Sequence, residues 1–429
     1  MFALLETLSY LRPAHRAFAP AKRASMRRMV GPGLLVAVGY VDPGNWATDI
    51  AAGSRYGYTL LASVVLASLL GLLFQTMAAR LGMATGEDLA ALTRRLLPRP
   101  LAASAWIAGE LAIVATALAE LIGGAIALRL LFELPLQGGL VVTALGTLAI
   151  MALSRRRQRA HEYVVNTLLA IVSLTFVYLL IRAKPLGHDV LQGLASSATV
   201  FTNHGMLAVA LGIIGATVMP HNLFLHSGLI ADRSATLQPH ERPAALRVVE
   251  ADTRVSLLLA TLVNVAMLMV AAAALAHLGA PVNNLDDAYH AIALTLGGGA
   301  ALVFALALYA AGQSSAITGV MAGRILSQGF RGREGGTWLR SIATRLTGVC
   351  IGFALLAARP GIGPDTLLVL SQCVLGIALP FALLPLLMLT NKRQLMGTYA
   401  FGRLFMGLGV AGTVLVIMLD GYLLVTAVI

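Results

Sequence analysis

The sequence predicts an all-α integral membrane protein whose two halves are inverted copies of a five-helix unit. Three observations point there. Apolar runs near twenty residues long recur through the chain, the length a helix needs to cross a bilayer. Mean hydropathy is +0.83, and charged residues make up only 12% of the 429, which excludes a soluble globular domain. Two of the runs carry a short polar break, Asp42-Pro43-Gly44-Asn45 and Met219-Pro220-His221-Asn222. Interrupted spans in matching positions of two halves are the best sequence pointer to a transporter's binding site.

The elements follow in order. Residues 1–29 form a basic arm containing Arg12, Arg16, Lys22, Arg23, Arg27 and Arg28. The apolar run behind it carries Asp42 in its middle and is too long for a signal peptide, so the arm reads as cytoplasmic. Eleven spans are expected, at 30–57, 59–83, 101–128, 136–154, 160–182, 205–231, 246–278, 299–328, 337–358, 364–391 and 401–427. The first repeat is then 30–182, the second 205–391, and 401–427 is a trailing helix. When the helices alternate in direction, the arm falls on one side with four Arg/Lys clusters: Arg94 to Arg99, Arg155 to Arg159, Arg331 to Arg340, and Lys392 to Arg403. Arg233, Arg242 and Arg247 join them, while the opposite loops hold few, such as Arg129, Arg182, Lys184 and Arg359. This asymmetry places the amino terminus inside and the carboxyl terminus outside a bacterial-type cytoplasmic membrane. The acidic stretch 279–297, with Asp286 and Asp287, is then an external loop. The breaks lie in spans one and six. Span six is five spans on from span one, an odd offset, so the second five-helix set enters the membrane from the opposite side.

A formal charge of +12 would ordinarily suggest nucleic acid, but here the Lys and Arg lie between spans. The only macromolecular environment implied is the lipid bilayer; no nucleic acid, resident cofactor or obligatory protein partner is expected. Cys350 and Cys373 both lie in apolar segments, which speaks against a disulfide framework and against a cysteine metal cluster.

The chemistry concentrates at the breaks. Pro43 and Pro220 remove backbone donors, and Gly44 admits unusual dihedrals, so both places should unwind. Asp42 supplies a carboxylate and Asn45 an amide oxygen, and unwinding would release carbonyls such as those of Gly39 and Ala216. Oxygen ligands alone suit any hard divalent cation. Met219 changes the expectation, since a thioether prefers softer ions. A methionine in a membrane helix is ordinarily packing, but this one sits beside Pro220 and His221. A site of this mixture should take manganese or iron(II) and gain little from calcium or magnesium. Asp42 itself is costly in lipid and reads as functional. His221 is open to three readings: metal ligand, proton carrier or core residue. Glu120 in span three is a second buried acid able to carry protons, and Glu110 lies about three turns earlier on the same helix. His226 and Asp49 read as structural.

Together, the run from Asp42 to Asp49 and the run from Met219 to Asn222 resemble the Nramp family of proton-coupled divalent-metal transporters, in its bacterial manganese branch. The stretches Ala311 to Gly319 and Ser371-Gln372 are similar to the family as well. The likeness runs through all eleven spans. It implies a LeuT-like fold with spans one and six unwound at the midplane. It implies manganese(II) or iron(II) as substrate with a proton, and cadmium, cobalt and zinc as further candidates. The implied metal ligands are Asp42, Asn45, Met219 and backbone carbonyls, joined in some states by Gln372. The implied proton route includes His221 and Glu120, with Glu110, Arg233 and Arg340 lining it toward the cytoplasm.

Two positions depart from the family pattern. Ala117 stands where many members have an aspartate, and Ser341 follows Arg340 where many have a second arginine. Loss of one acid and one base together removes a salt bridge without stranding either charge, and leaves fewer charged steps toward the cytoplasm. Competing readings are weaker. A magnesium transporter of a divergent branch should lose the Met219 thioether, and a passive cation channel does not require paired broken helices. A membrane metalloprotease is excluded because His161-Glu162 lacks a second His at zinc-motif spacing.

Overall fold

The computed structural model describes residues 26–154, 160–276, 282, 284–332, 337–358 and 363–428; side chains at 153–154, 160, 337–341, 358 and 423–428 are not among those described. The arm up to residue 25 and the cluster 155–159 therefore lie outside the described residues. The described chain is helical. Helices α1 (Pro32–Gly39) and α2 (Pro43–Tyr56) divide the first expected span, followed by α3 (Leu61–Thr85), a short α4 (Leu89–Leu96), α5 (Arg99–Phe132), α6 (Leu136–Ser154) and α7 (Ala160–Ala183). A connecting helix α8 (Gly187–Ala195) leads to α9 (His204–Thr217) and α10 (Pro220–Ser234), which divide the sixth span. Then come α11 (Arg242–Leu275), α12 (Leu285–Leu296) in the acidic loop, α13 (Gly298–Arg331), α14 (Thr337–Ala358), α15 (Pro364–Ala378), α16 (Pro380–Thr390) and α17 (Arg403–Val428).

Among the described residues, eight helical stretches are long and apolar enough to cross a membrane. Two shorter apolar helices, Leu136–Ala152 and Ile342–Ala357, and the α1–α2 pair occupy the remaining expected positions. The tenth span also divides, which the sequence reading did not anticipate. Pro380 has no N–H to continue the ladder, so α16 begins there after a one-residue step at Leu379.

The prolines explain where the breaks fall. Each is the first residue of the helix that follows its break, the position at which a missing N–H is tolerated. The non-helical residues are Tyr40, Val41 and Asp42 in the first break, and Val218 and Met219 in the second. Gly44, Asn45, His221 and Asn222, expected within unwound chain, instead form the opening turns of α2 and α10. Asp42 caps α2 by accepting the Asn45 N–H at 2.8 Å. Trp46 fixes the pose of that turn. Its ring lies 4.8 Å from that of Phe176 on α7 and 5.2 Å from that of Phe304 on α13, and its Nε1 donates to Val41 O at 3.1 Å.

Candidate metal site at the helix breaks

Counting the backbone carbonyls of the first break shows which one is left over. Ala37 O accepts from Tyr40 N and Val38 O from Val41 N, both at 3.1 Å. Tyr40 O accepts from Asn264 Nδ2 at 2.8 Å. Val41 O takes the Trp46 indole, and Asp42 O accepts from Trp46 N at 3.1 Å. In a continuous helix Gly39 O would accept from residue 43, which is Pro43; it receives only a long 3.5 Å contact from Asn45 Nδ2. Ala216 O in α9 stands in the same relation to Pro220, four residues on. The two prolines thus expose the two carbonyls expected as ligands, by the same arithmetic in both halves.

The side chains converge on these carbonyls. Asn45 joins the breaks: its Nδ2 donates to Asp42 Oδ1 at 3.0 Å, and its Oδ1 accepts from Thr217 Oγ1 at 3.4 Å. Asp42 Oδ2 is buried without a hydrogen-bond partner, as are Gln372 Oε1 and Asn222 Oδ1. Met219 is buried, with its sulfur 3.8 Å from Asn222 Nδ2. Gly44 has a role other than the one expected. It sits in regular helix, and a Cβ there would collide with the Gln372 amide, so its value is the space it leaves. Gly39 likewise leaves room for Asn222 Nδ2. The sequence reading took Asn222 only as part of the second break and did not pick out Thr217, which adjoins it.

Unpaired buried oxygens each cost about 1–3 kcal/mol when nothing satisfies them. Three of them lie on residues at or packed against the breaks, which fits a site completed by a cation. No group of three or more His, Cys, Asp or Glu side chains able to hold a metal occurs among the described residues. The groups expected as ligands carry one formal charge, that of Asp42, with neutral oxygens and one thioether. Such a set suits reversible binding of a transition-metal ion as cargo.

The proposed proton residues divide into groups. His221 Nδ1 lies 3.3 Å from Thr116 Oγ1 on α5. Glu120, one turn further along α5, is paired with a base that the sequence reading did not single out. Its Oε2 is 2.8 Å from Arg345 Nη1, its Oε1 accepts from Ser315 Oγ at 3.0 Å, and Arg345 Nη2 donates to Ala316 O at 2.5 Å. Arg345 lies one turn beyond Ser341 on α14, so α14 still offers a base to α5 although Ser341 cannot. The acid and base absent at Ala117 and Ser341 stay absent, and Arg345 is a further charge on α14 that the sequence reading did not pick out. Glu110 is half-buried and accepts from Trp106 Nε1 at 3.0 Å. Arg233 lies at the far end of α10 from His221, and donates to Glu162 Oε1 at 2.6 Å, Arg28 O at 2.6 Å and Val30 O at 2.9 Å, tying α7 to the chain entering α1. The Arg340 side chain lies outside the described residues. His226 is held by Gln75 Oε1 at 3.0 Å and Thr253 Oγ1 at 3.5 Å, consistent with a structural part.

Known proteins resemble this chain along most of its length. The family model described as Nramp, natural resistance-associated macrophage protein-like, matches residues 33–426. The divalent metal cation transporter MntH of Levilactobacillus brevis is 42% identical over 403 residues, covering 92% of this chain and 88% of that protein. The crystal structure of the Eremococcus coleocola manganese transporter, in complex with an aromatic bis-isothiourea compound, superposes with a TM-score of 0.84 at 35% identity, over 94% of this chain and 87% of that one. MhsT in complex with L-phenylalanine shares the LeuT-like fold, with a TM-score of 0.62 at 18% identity, over 91% of this chain and 98% of its own.

Proposed function

The chain belongs to the Nramp family, and from that premise we propose that it imports divalent transition-metal ions, chiefly manganese(II) and also iron(II), together with protons. It does so by alternating access across a bacterial cytoplasmic membrane, with its amino terminus inside. The observation that carries this reading is the pair of buried side-chain oxygens without partners at the first break, Asp42 Oδ2 and Gln372 Oε1, together with the Gly39 and Ala216 carbonyls that Pro43 and Pro220 deprive of a helical donor and the buried Met219 sulfur. These residues replace the water shell of an arriving cation. Asp42 supplies the charge, the carbonyls and amides complete the oxygen shell, and Met219 favours the softer ions over calcium and magnesium.

The two halves of the site belong to α1–α2 and α9–α10. Rocking these pairs against α5, α13 and α15 opens the site to one side at a time. Proton movement is assigned to the neighbourhood of α5. Thr116 orients His221, and the Glu120–Arg345 pair offers a proton an acceptor already balanced by a fixed cation. The deciding experiment is uptake into proteoliposomes with a panel of divalent ions, with internal pH followed simultaneously. Manganese and iron(II) should enter and acidify the interior, while calcium and magnesium should not. Metal entry without acidification would remove proton coupling, and equal uptake of magnesium would remove the selectivity.

A further inference from the structure

A cavity of about 330 Å³ runs between α2, α9 and α15. It follows α9 from Ala208 to Gly215, one residue short of Ala216, and it reaches Thr48 and Gln372 beside the first break. Three charged residues line it: Arg55, Asp365 and Asp420. Asp365 is committed to structure, because its Oδ1 accepts the Leu285 N–H at 2.9 Å where α12 begins. Asp420 is not so committed. It lies within α17, outside both five-helix repeats, and its buried Oδ2 has no hydrogen-bond partner. An aspartate inside a membrane span without a structural task is expensive to keep. Its carboxylate lies over Gly376, where an added Cβ would come within 3.0 Å of Asp420 Oδ1. Gly376 is one turn from Gln372 on α15. Gln372 is 4% exposed, and its Oε1 is unpaired in the same cavity. Two residues further along α17, Tyr422 pairs with His204 Nδ1 at 3.0 Å and so fixes α17 against the start of α9.

We propose that Asp420 is a second cation-holding carboxylate, which with Gln372 holds the divalent ion in this cavity before it passes to Asp42. The proposal rests on the transport reading above. By formal charge, two carboxyl groups and one guanidinium line the cavity, a single excess negative charge when both carboxyls are ionised. In a cleft with apolar walls such a charge concentrates cations. Oxygen donors and room for part of the hydration shell give a weak site, suited to handing the ion on. Nothing in the sequence near Asp420 resembles a motif, and its relation to the site appears only when α17 folds back on α15.

Cys373 lines the same cavity and is a reporter already in place. Cys350→Ser leaves it as the single thiol, since the chain has two cysteines. In that background, the rate of Cys373 modification by a neutral, water-soluble maleimide is measured against manganese concentration in proteoliposomes. The measurement is repeated with Asp42→Asn, which empties the central site. Manganese should slow labelling in both, and adding Asp420→Asn should raise the protecting concentration about tenfold. Asp420→Glu should restore protection. In transport, Asp420→Asn should raise KM severalfold and leave kcat near the parent value. Protection that vanishes with Asp42→Asn alone, or that is unchanged by Asp420→Asn, would overturn the proposal. If the parent does not transport but protection still follows Asp420, the transport reading fails and the cavity site stands.

Discussion

Arg345 Nη1 lies 2.8 Å from Glu120 Oε2, with the two side chains 1% and 0% exposed. Ser315 takes the other carboxylate oxygen, and the Ala316 carbonyl takes the other guanidinium nitrogen. A buried pair of this kind adds little net stability over a well-packed apolar pair. Breaking it from one side strands a charge and costs about 3–5 kcal/mol. Arg345→Met should therefore lower the thermal unfolding temperature sharply. Glu120→Leu with Arg345→Met should recover most of that loss while abolishing acidification during metal uptake. Thermal unfolding of the four proteins, read alongside vesicle pH, checks both halves. Independent, additive losses would mean that the pair is not coupled.

Asp42→Asn removes the only formal charge of the donor set. A divalent ion would then sit among neutral groups at the membrane midplane. Manganese uptake should fall to background while the protein still inserts and folds. Uptake near the parent level would show that the ion is held elsewhere.

Met219→Ala keeps every oxygen ligand and removes the thioether. Manganese should still be carried, with affinity down by about tenfold, roughly 1.4 kcal/mol. Calcium should compete better than it does in the parent, because the preference for softer ions rests on the sulfur. Competition of manganese uptake by excess calcium is the assay.

Gly44→Ala tests the space beside the site rather than its ligands. The added methyl collides with the Gln372 amide. Overpacking of this kind typically costs about 1–3 kcal/mol. Transport should drop through displacement of Gln372, and Gly44→Ala combined with Gln372→Ala should be better folded than Gly44→Ala alone. Size-exclusion recovery after heating, with uptake measured in parallel, decides it.

What was legible in the sequence followed from local chemistry. Apolar length located the helices, because a bilayer demands about twenty residues of any helix that crosses it. Asp42, Asn45, Met219 and the prolines stood out because polar groups and missing donors are costly in lipid. The less legible features depend on the rotation of one helix against another. Arg345 meets Glu120 across 225 positions of sequence, and only the α5–α14 packing reveals which arginine of α14 faces inward. Asp420 passed unnoticed for the same reason. Gly44 was read for its dihedral freedom, when the close approach of α15 to α2 is what requires it. Thr217 lay beside the second break but carried no charge to single it out, and Asn222 was read only as part of that break.

The central claim is that one metal ion sits between the two breaks, held by oxygen atoms and the Met219 sulfur. X-ray absorption at the metal edge, on purified protein loaded with one equivalent of manganese or cadmium, tests it most directly. The account predicts a shell of oxygens with one sulfur, and loss of the sulfur alone in Met219→Ala. An all-oxygen shell in the parent, unchanged by Met219→Ala, would contradict it.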